Sequence, residues 1–163
     1  MHTFYGEYEC KLDEKGRVIL PSRFKQFMPE AEEGTNRFFL KKGFEPCLVI
    51  YHPEMWEVIF RKVSELSEFN MEQRLFQRYF LNGLEEIELD KAGRFLIPKT
   101  LQRHAKLEKD MLMIGLGKRI EIWNPDVYMD LLMQDQSKYS QLAQQFLEDA
   151  EQESQRANLA QAS

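Results

Sequence analysis

Leu12-Asp13-Glu14-Lys15-Gly16-Arg17-Val18-Ile19-Leu20-Pro21 returns 77 residues later as Leu89-Asp90-Lys91-Ala92-Gly93-Arg94-Phe95-Leu96-Ile97-Pro98. Each copy reads Asp, two residues, Gly-Arg, three apolar residues and Pro. Alternating segments precede both, with Tyr8, Cys10 and Leu12 in the first and Ile87 and Leu89 in the second. That order predicts a strand, a tight turn and a second strand paired back across it. Asp13 and Asp90 can accept hydrogen bonds from the backbone ahead of them, and Gly16 and Gly93 can take the positive φ that closes a short turn. Arg17 and Arg94 then leave their turns from a fixed origin.

Outward from the motif the correspondence continues. Gly43 matches Gly115, Leu48-Val49-Ile50-Tyr51 matches Ile120-Glu121-Ile122-Trp123, Pro53 matches Pro125 and Trp56 matches Tyr128. The offset here is 72, so the second half lacks five residues, and Glu30 to Asn36 is the expected extra loop of the first. A unit near 77 residues is too long for a solenoid repeat and reads as a duplicated small domain.

The 163 residues, 43% of them hydrophobic, can bury an ordinary core. No apolar run is long enough for a membrane span and the first residues lack the order of a signal peptide, so a cytoplasmic protein is expected. Cys10 and Cys47 have no metal-like spacing, and Cys10 falls where the second copy has Ile87, which reads as a small buried hydrophobe. The net charge of −5 hides an uneven distribution. Residues 11–25 carry Lys11, Lys15, Arg17, Arg23 and Lys25 against Asp13 and Glu14, a local +3. Residues 90–106 carry Lys91, Arg94, Lys99, Arg103 and Lys106 against Asp90, a local +4. Positive charge is concentrated on the two repeated elements, where it can dock a polyanion or simply face solvent.

Taken in order, residues 3–66 read as a first module: strand, turn, strand, a short helix up to Pro29, two strands about Gly43 and Pro46, and a closing helix from Pro53 with Met55, Trp56, Ile59, Val63 and Leu66 on one side. Residues 67–84 read as a connecting helix, opened by Asn70 with Gln73 and stopped at Asn82-Gly83, whose Leu75, Phe76, Tyr79 and Phe80 are expected in the core. Residues 85–133 repeat the plan, ending in a helix capped by Asn124-Pro125. In residues 134–163 an amphipathic helix from Ser137 to about Glu151 is expected, then a disordered tail.

Two Asp-x-x-x-Arg turns inside Gly-Arg-x-x-x-Pro strands, after Gly6-Glu7-Tyr8 and with Tyr79-Phe80-Leu81-Asn82-Gly83 and Ile120-Glu121-Ile122-Trp123 between and beyond them, resemble the MraZ family of bacterial regulators of the division and cell-wall gene cluster. The likeness covers about residues 3–150; the opening Met1-His2-Thr3-Phe4-Tyr5 is longer than the family's usual start. The resemblance implies a mixed β fold with helices, in which tandem AbrB-like hairpins cross over between two halves of one chain to make a double-split β-barrel. It further implies a ring-shaped homo-oligomer, associated with the nucleoid, that binds tandem promoter repeats in double-stranded DNA. By matching position Arg17 and Arg94 are the expected DNA contacts, with Lys15 and Lys91 beside them. Asp13, Gly16, Asp90 and Gly93 are the expected turn residues.

The chemistry supports that assignment independently. A two-stranded ribbon fits the major groove, where a guanidinium can bond guanine bidentately or clamp phosphate. Asp13 and Asp90 can hold their arginines in direction, but an arginine fully engaged by its aspartate would have nothing left for DNA. An enzyme is not expected. His2, His52 and His104 are scattered, with no nucleophile, phosphate loop or metal cluster around them, and His52 reads as a helix cap before Pro53. Neither a cofactor nor a small-molecule substrate is implied. The competing reading is a protein-interaction module of antitoxin type, gripping a partner with the acidic C-terminal segment through Phe146 and Leu147.

Overall fold

In the computed structural model, residues 3–28 and 37–162 are described. They divide into two compact units, Met1–Val127 and Tyr128–Ser163. The first holds both repeats. Its strands are β1 (Phe4–Lys11), β2 (Arg17–Ile19), β3 (Arg37–Lys42), β4 (Leu48–Tyr51), β5 (Glu85–Glu88), β6 (Arg94–Leu96), β7 (Asp110–Gly117) and β8 (Arg119–Trp123). The helices of the chain are α1 (Ser22–Lys25), α2 (Pro53–Ser64), α3 (Met71–Leu81), α4 (Lys99–His104), α5 (Pro125–Met133) and α6 (Ser137–Ala162). The expected extra loop, Glu30 to Asn36, lies outside the described residues.

The repeats interleave rather than stand side by side. Six strands form one antiparallel sheet in the order β1-β7-β8-β4-β3-β5, and β2 pairs with β6 in a separate two-stranded ribbon. This corrects the expectation that each strand pairs back across its own turn. Asp13 N–H donates to the Arg17 carbonyl at 2.8 Å, but beyond the turn β1 runs its eight residues along β7 and β2 turns to β6. The reason is burial. Two three-residue strands can bring Val18 and Phe95 together over the core, whereas among the described residues the eight-residue β1 finds a partner of its own length only in the other repeat.

The registers define a pseudo-twofold relation. Val18 opposes Phe95 in the ribbon and Val49 opposes Glu121 in the middle of the sheet. These are the self-equivalent positions at offsets 77 and 72. For β3 and β7 the offset is 73, because Ile50 opposes Leu40 while its counterpart Ile122 opposes Met113. The proposed match of Gly43 with Gly115 is therefore one residue off. Four of the five missing residues precede β7 and one is lost from the β7–β8 turn. Gly115 has its own steric reason: an added Cβ would lie 2.5 Å from the Tyr5 backbone nitrogen on β1.

Alternation along the strands makes two cores. Phe38, Leu40, Leu48, Ile50, Met111, Met113, Ile120 and Ile122 face the ribbon, α1 and α4, where Val18, Leu20, Phe24, Phe95, Ile97 and Leu101 fill the space. The ring of Phe38 meets Phe95 edge-on at 5.1 Å. On the other face Trp56 and Val63 of α2 and Phe80 of α3 pack with Phe39 and Tyr51. The caps behave as their residues dictate: Glu54 N–H donates to His52 Nδ1 at 3.2 Å, Gln73 N–H to Asn70 Oδ1 at 3.1 Å, and Asp126 N–H to Asn124 Oδ1 at 2.9 Å.

Three expectations need correction. The stripe of α3 is only partly core, since Phe80 is buried but Leu75, Phe76 and Tyr79 are exposed. Its inner face instead uses Gln77, whose Nε2 donates to the Val63 carbonyl at 2.8 Å and satisfies the end of α2. His104, expected to be exposed on its short basic helix, is half-buried, with Nε2 3.2 Å from the Glu45 carbonyl oxygen. And α6 does not stop near Glu151 but continues to Ala162, in line with a segment rich in Gln, Ala, Glu and Leu and free of Pro and Gly.

Candidate nucleic-acid interface

Each repeated turn is built around one carboxylate. Asp13 Oδ1 accepts from the backbone N–H groups of Lys15 at 2.9 Å and Arg17 at 2.8 Å, and its Oδ2 accepts from Arg17 Nε at 3.0 Å. Asp90 repeats the pattern with Ala92 at 2.9 Å, Arg94 at 2.9 Å and Arg94 Nε at 2.9 Å. Gly16 and Gly93 close the turns with φ of 82° and 78°. The hydrogen bond from the Arg backbone, ahead of those from its side chain, holds both carboxyls below the usual aspartate range.

The aspartates engage each guanidinium through Nε alone. Among the described residues the terminal nitrogens of Arg17 and Arg94 make no hydrogen bond, and both side chains are about one-third exposed, at 31% and 34%. An arginine can therefore be held in direction and still present its fork outward. Both arginines stand on one surface. In the ribbon Arg17 opposes Leu96 and Ile19 opposes Arg94, while the intervening Val18 and Phe95 point into the core. The arginines occupy diagonal corners, with Cα atoms about 7–8 Å apart. The ribbon is pinned at both ends, because Ile97 N–H donates to the Gly16 carbonyl at 2.9 Å and Leu20 N–H to the Gly93 carbonyl at 3.0 Å.

Lys15 and Lys91 are exposed at the turns. Lys25 belongs beside them more than its sequence position suggests, since its Nζ lies 3.7 Å from where a Cβ on Gly93 would stand. Its counterpart at offset 77, Gln102, covers the other turn, with Nε2 donating to the Ile97 carbonyl at 2.7 Å. Each turn is thus flanked by the short helix of the other repeat. Arg23 is directed elsewhere, to the Tyr5 hydroxyl at 3.3 Å. Ile19 and Leu96 were visible only as members of apolar triplets; the alternation that exposes them requires knowing which face of the ribbon is buried.

The same duplication is recovered by comparison with known families. The model for "MraZ protein, putative antitoxin-like" matches twice, over residues 3–79 and 80–161. The chain belongs to the MraZ family. A relative from Cytophaga hutchinsonii named transcriptional regulator MraZ is 48% identical over 147 residues, covering 90% of this chain and 96% of the relative. MraZ regulators so named from Alkaliphilus metalliredigens and from Thermoanaerobacter sp. strain X514 are 44% and 40% identical. They match 76% and 85% of this chain and 82% and 93% of their own lengths. No helix among the described residues of this MraZ chain is long and apolar enough to cross a membrane.

Proposed function

We propose that this protein is a DNA-binding transcriptional regulator of the bacterial division and cell-wall gene cluster. It binds tandem promoter repeats in the nucleoid as a ring-shaped homo-oligomer, through Arg17 and Arg94 with Lys15 and Lys91. The observation that carries the reading is the pair of guanidinium groups on the β2–β6 ribbon, each anchored through Nε to its own aspartate and open at its terminal nitrogens. A two-stranded ribbon matches the width of the major groove, and a pre-oriented fork loses little freedom on bonding guanine or phosphate. One ribbon offers few contacts, so several subunits on regularly spaced boxes gain affinity by effective concentration.

The test is binding to a duplex from upstream of the protein's own operon across a salt series. Wild type should bind with a steep salt dependence. The variant Arg17→Ala with Arg94→Ala should lose binding while keeping its fold and oligomer mass. Unchanged binding would move the contact away from the arginines. A forced monomer that held a multi-box duplex at full strength would remove the ring from the mechanism. The antitoxin-type reading draws on the exposed Phe146 and Leu147 of α6; it predicts partner binding that hardly responds to salt.

A further inference from the structure

The outward face of the ribbon is half aliphatic. Ile19 is 60% exposed and Leu96 52%, although their neighbours Val18 and Phe95 are almost fully buried. Directly opposed positions share a face, so each cross-strand pair, Arg17 with Leu96 and Arg94 with Ile19, joins one guanidinium to one aliphatic side chain. Within a pair the Cβ atoms stand about 4.5–5.5 Å apart. Successive bases rise about 3.4 Å along a DNA strand, so one pair spans two neighbouring base positions. In the major groove guanine offers its N7 and O6 acceptors to arginine, and the apolar feature of the base edges is the C5-methyl group of thymine.

Resting on the DNA-binding reading above, we propose that Leu96 and Ile19 read thymine methyl groups beside the guanines taken by Arg17 and Arg94. Each half of the ribbon then recognises a guanine–thymine step. The two pairs lie two strand residues apart, about 6.6–6.8 Å or two base positions, and the pseudo-twofold relation of the ribbon makes the second step an inverted copy of the first. The arginines fix position and guanine identity. The aliphatic residues discriminate thymine from cytosine, which lacks the methyl group and presents an amino donor where thymine has a carbonyl.

The experiment compares the promoter duplex with one in which every thymine of the repeats is replaced by deoxyuridine, which removes the methyl and leaves pairing unchanged. Affinities are measured for wild type, Ile19→Ala, Leu96→Ala and the double variant. Wild type should bind the deoxyuridine duplex about fourfold more weakly for each methyl read. The double variant should bind both duplexes alike, and each single variant should lose part of the difference. Equal wild-type affinity for the two duplexes, or full discrimination retained by the double variant, overturns the proposal. A change of oligomer mass in the variants without a change in base preference also overturns it, assigning the two residues to a contact between copies. Wild type that binds neither duplex overturns the regulator reading itself, and this proposal with it.

Discussion

The two repeats of this chain agree to within 0.2 Å in the hydrogen bonds around their aspartates, yet they diverge one strand further on. Lys41 on β3 faces Val49, and the structurally equivalent Ile114 on β7 faces Glu121. The loop after β3 carries Phe44 and Cys47, while β7 and β8 join in a tight turn at Gly117-Lys118, with one residue fewer between the equivalent pairs Leu40–Ile50 and Met113–Ile122. Duplication supplied two equal starting points. The halves are equal at the turns of the ribbon and differ on the far face of the sheet.

The largest expected effect comes from breaking the pair that closes the ribbon onto the core. Phe95→Ala should cost about 3–5 kcal/mol, because it removes the ring packed on Phe38 and leaves a cavity. Val18→Ala, the equivalent change in the other repeat, should cost about 2 kcal/mol. Urea unfolding of the two variants checks this. Equal losses would mean that the ribbon responds as a unit rather than by volume removed.

Equivalence at the surface is tested by DNA affinity. Arg17→Ala and Arg94→Ala should each weaken binding by about 1–3 kcal/mol, the range of a lost bidentate base contact, and by similar amounts. A tenfold difference between them in fluorescence anisotropy titrations would show that the pseudo-twofold relation of the protein is not used by its ligand.

The turns should part company in a smaller way. Both glycines have positive φ, so alanine costs about 1–2 kcal/mol at either position. At Gly16 the added Cβ also meets Gln102 Nε2 at 2.8 Å, whereas at Gly93 the nearest outside atom, Lys25 Nζ, is 3.7 Å away. Gly16→Ala should therefore lower the thermal midpoint more than Gly93→Ala. The reverse order would imply that Gln102 yields easily and that Lys25 is the more constrained neighbour.

Much of this was readable from residues because it is local. The Asp-to-Gly turns and the caps at His52, Asn70 and Asn124 are settled within four residues of chain, and each has one dominant solution. Strand partnership is not local. Nothing within β2 distinguishes β1 from β6 as a partner; the choice depends on matching strand lengths and on burying Val18 against the other half. The single-residue shift at Gly115 escaped for a related reason, since two glycines invite alignment although Gly43 closes a loop and Gly115 lies under β1. On α3 the period was right and the face was wrong, because the end of α2 required Gln77 as a donor and rotated Tyr79 outward. The free ends of Arg17 and Arg94 could not be read from their spacing, which is compatible with one, two or three bonds to the aspartate.

Lys41 supplies the finest test of the divergence between halves. It is 3% exposed, donates to the Lys42 carbonyl and lies 4.1 Å from the Phe80 ring centroid, and burial lowers its pKa to about 8 from an ordinary 10.5. Between those values the unfolded chain holds a proton that the native protein has released. Native stability should therefore rise with pH across that window. Lys41→Met keeps the length and removes the charge, making the first half resemble the second at Ile114, and should change stability at pH 8 by less than about 1.5 kcal/mol. The informative quantity is the difference between wild type and variant in urea unfolding at pH 8 and pH 10. It should move toward wild type as pH rises. Parallel curves would mean that the Lys41 ammonium is as well served by the Phe80 ring and the Lys42 carbonyl as by water, and that the exchange of lysine for isoleucine between the halves carries no electrostatic cost.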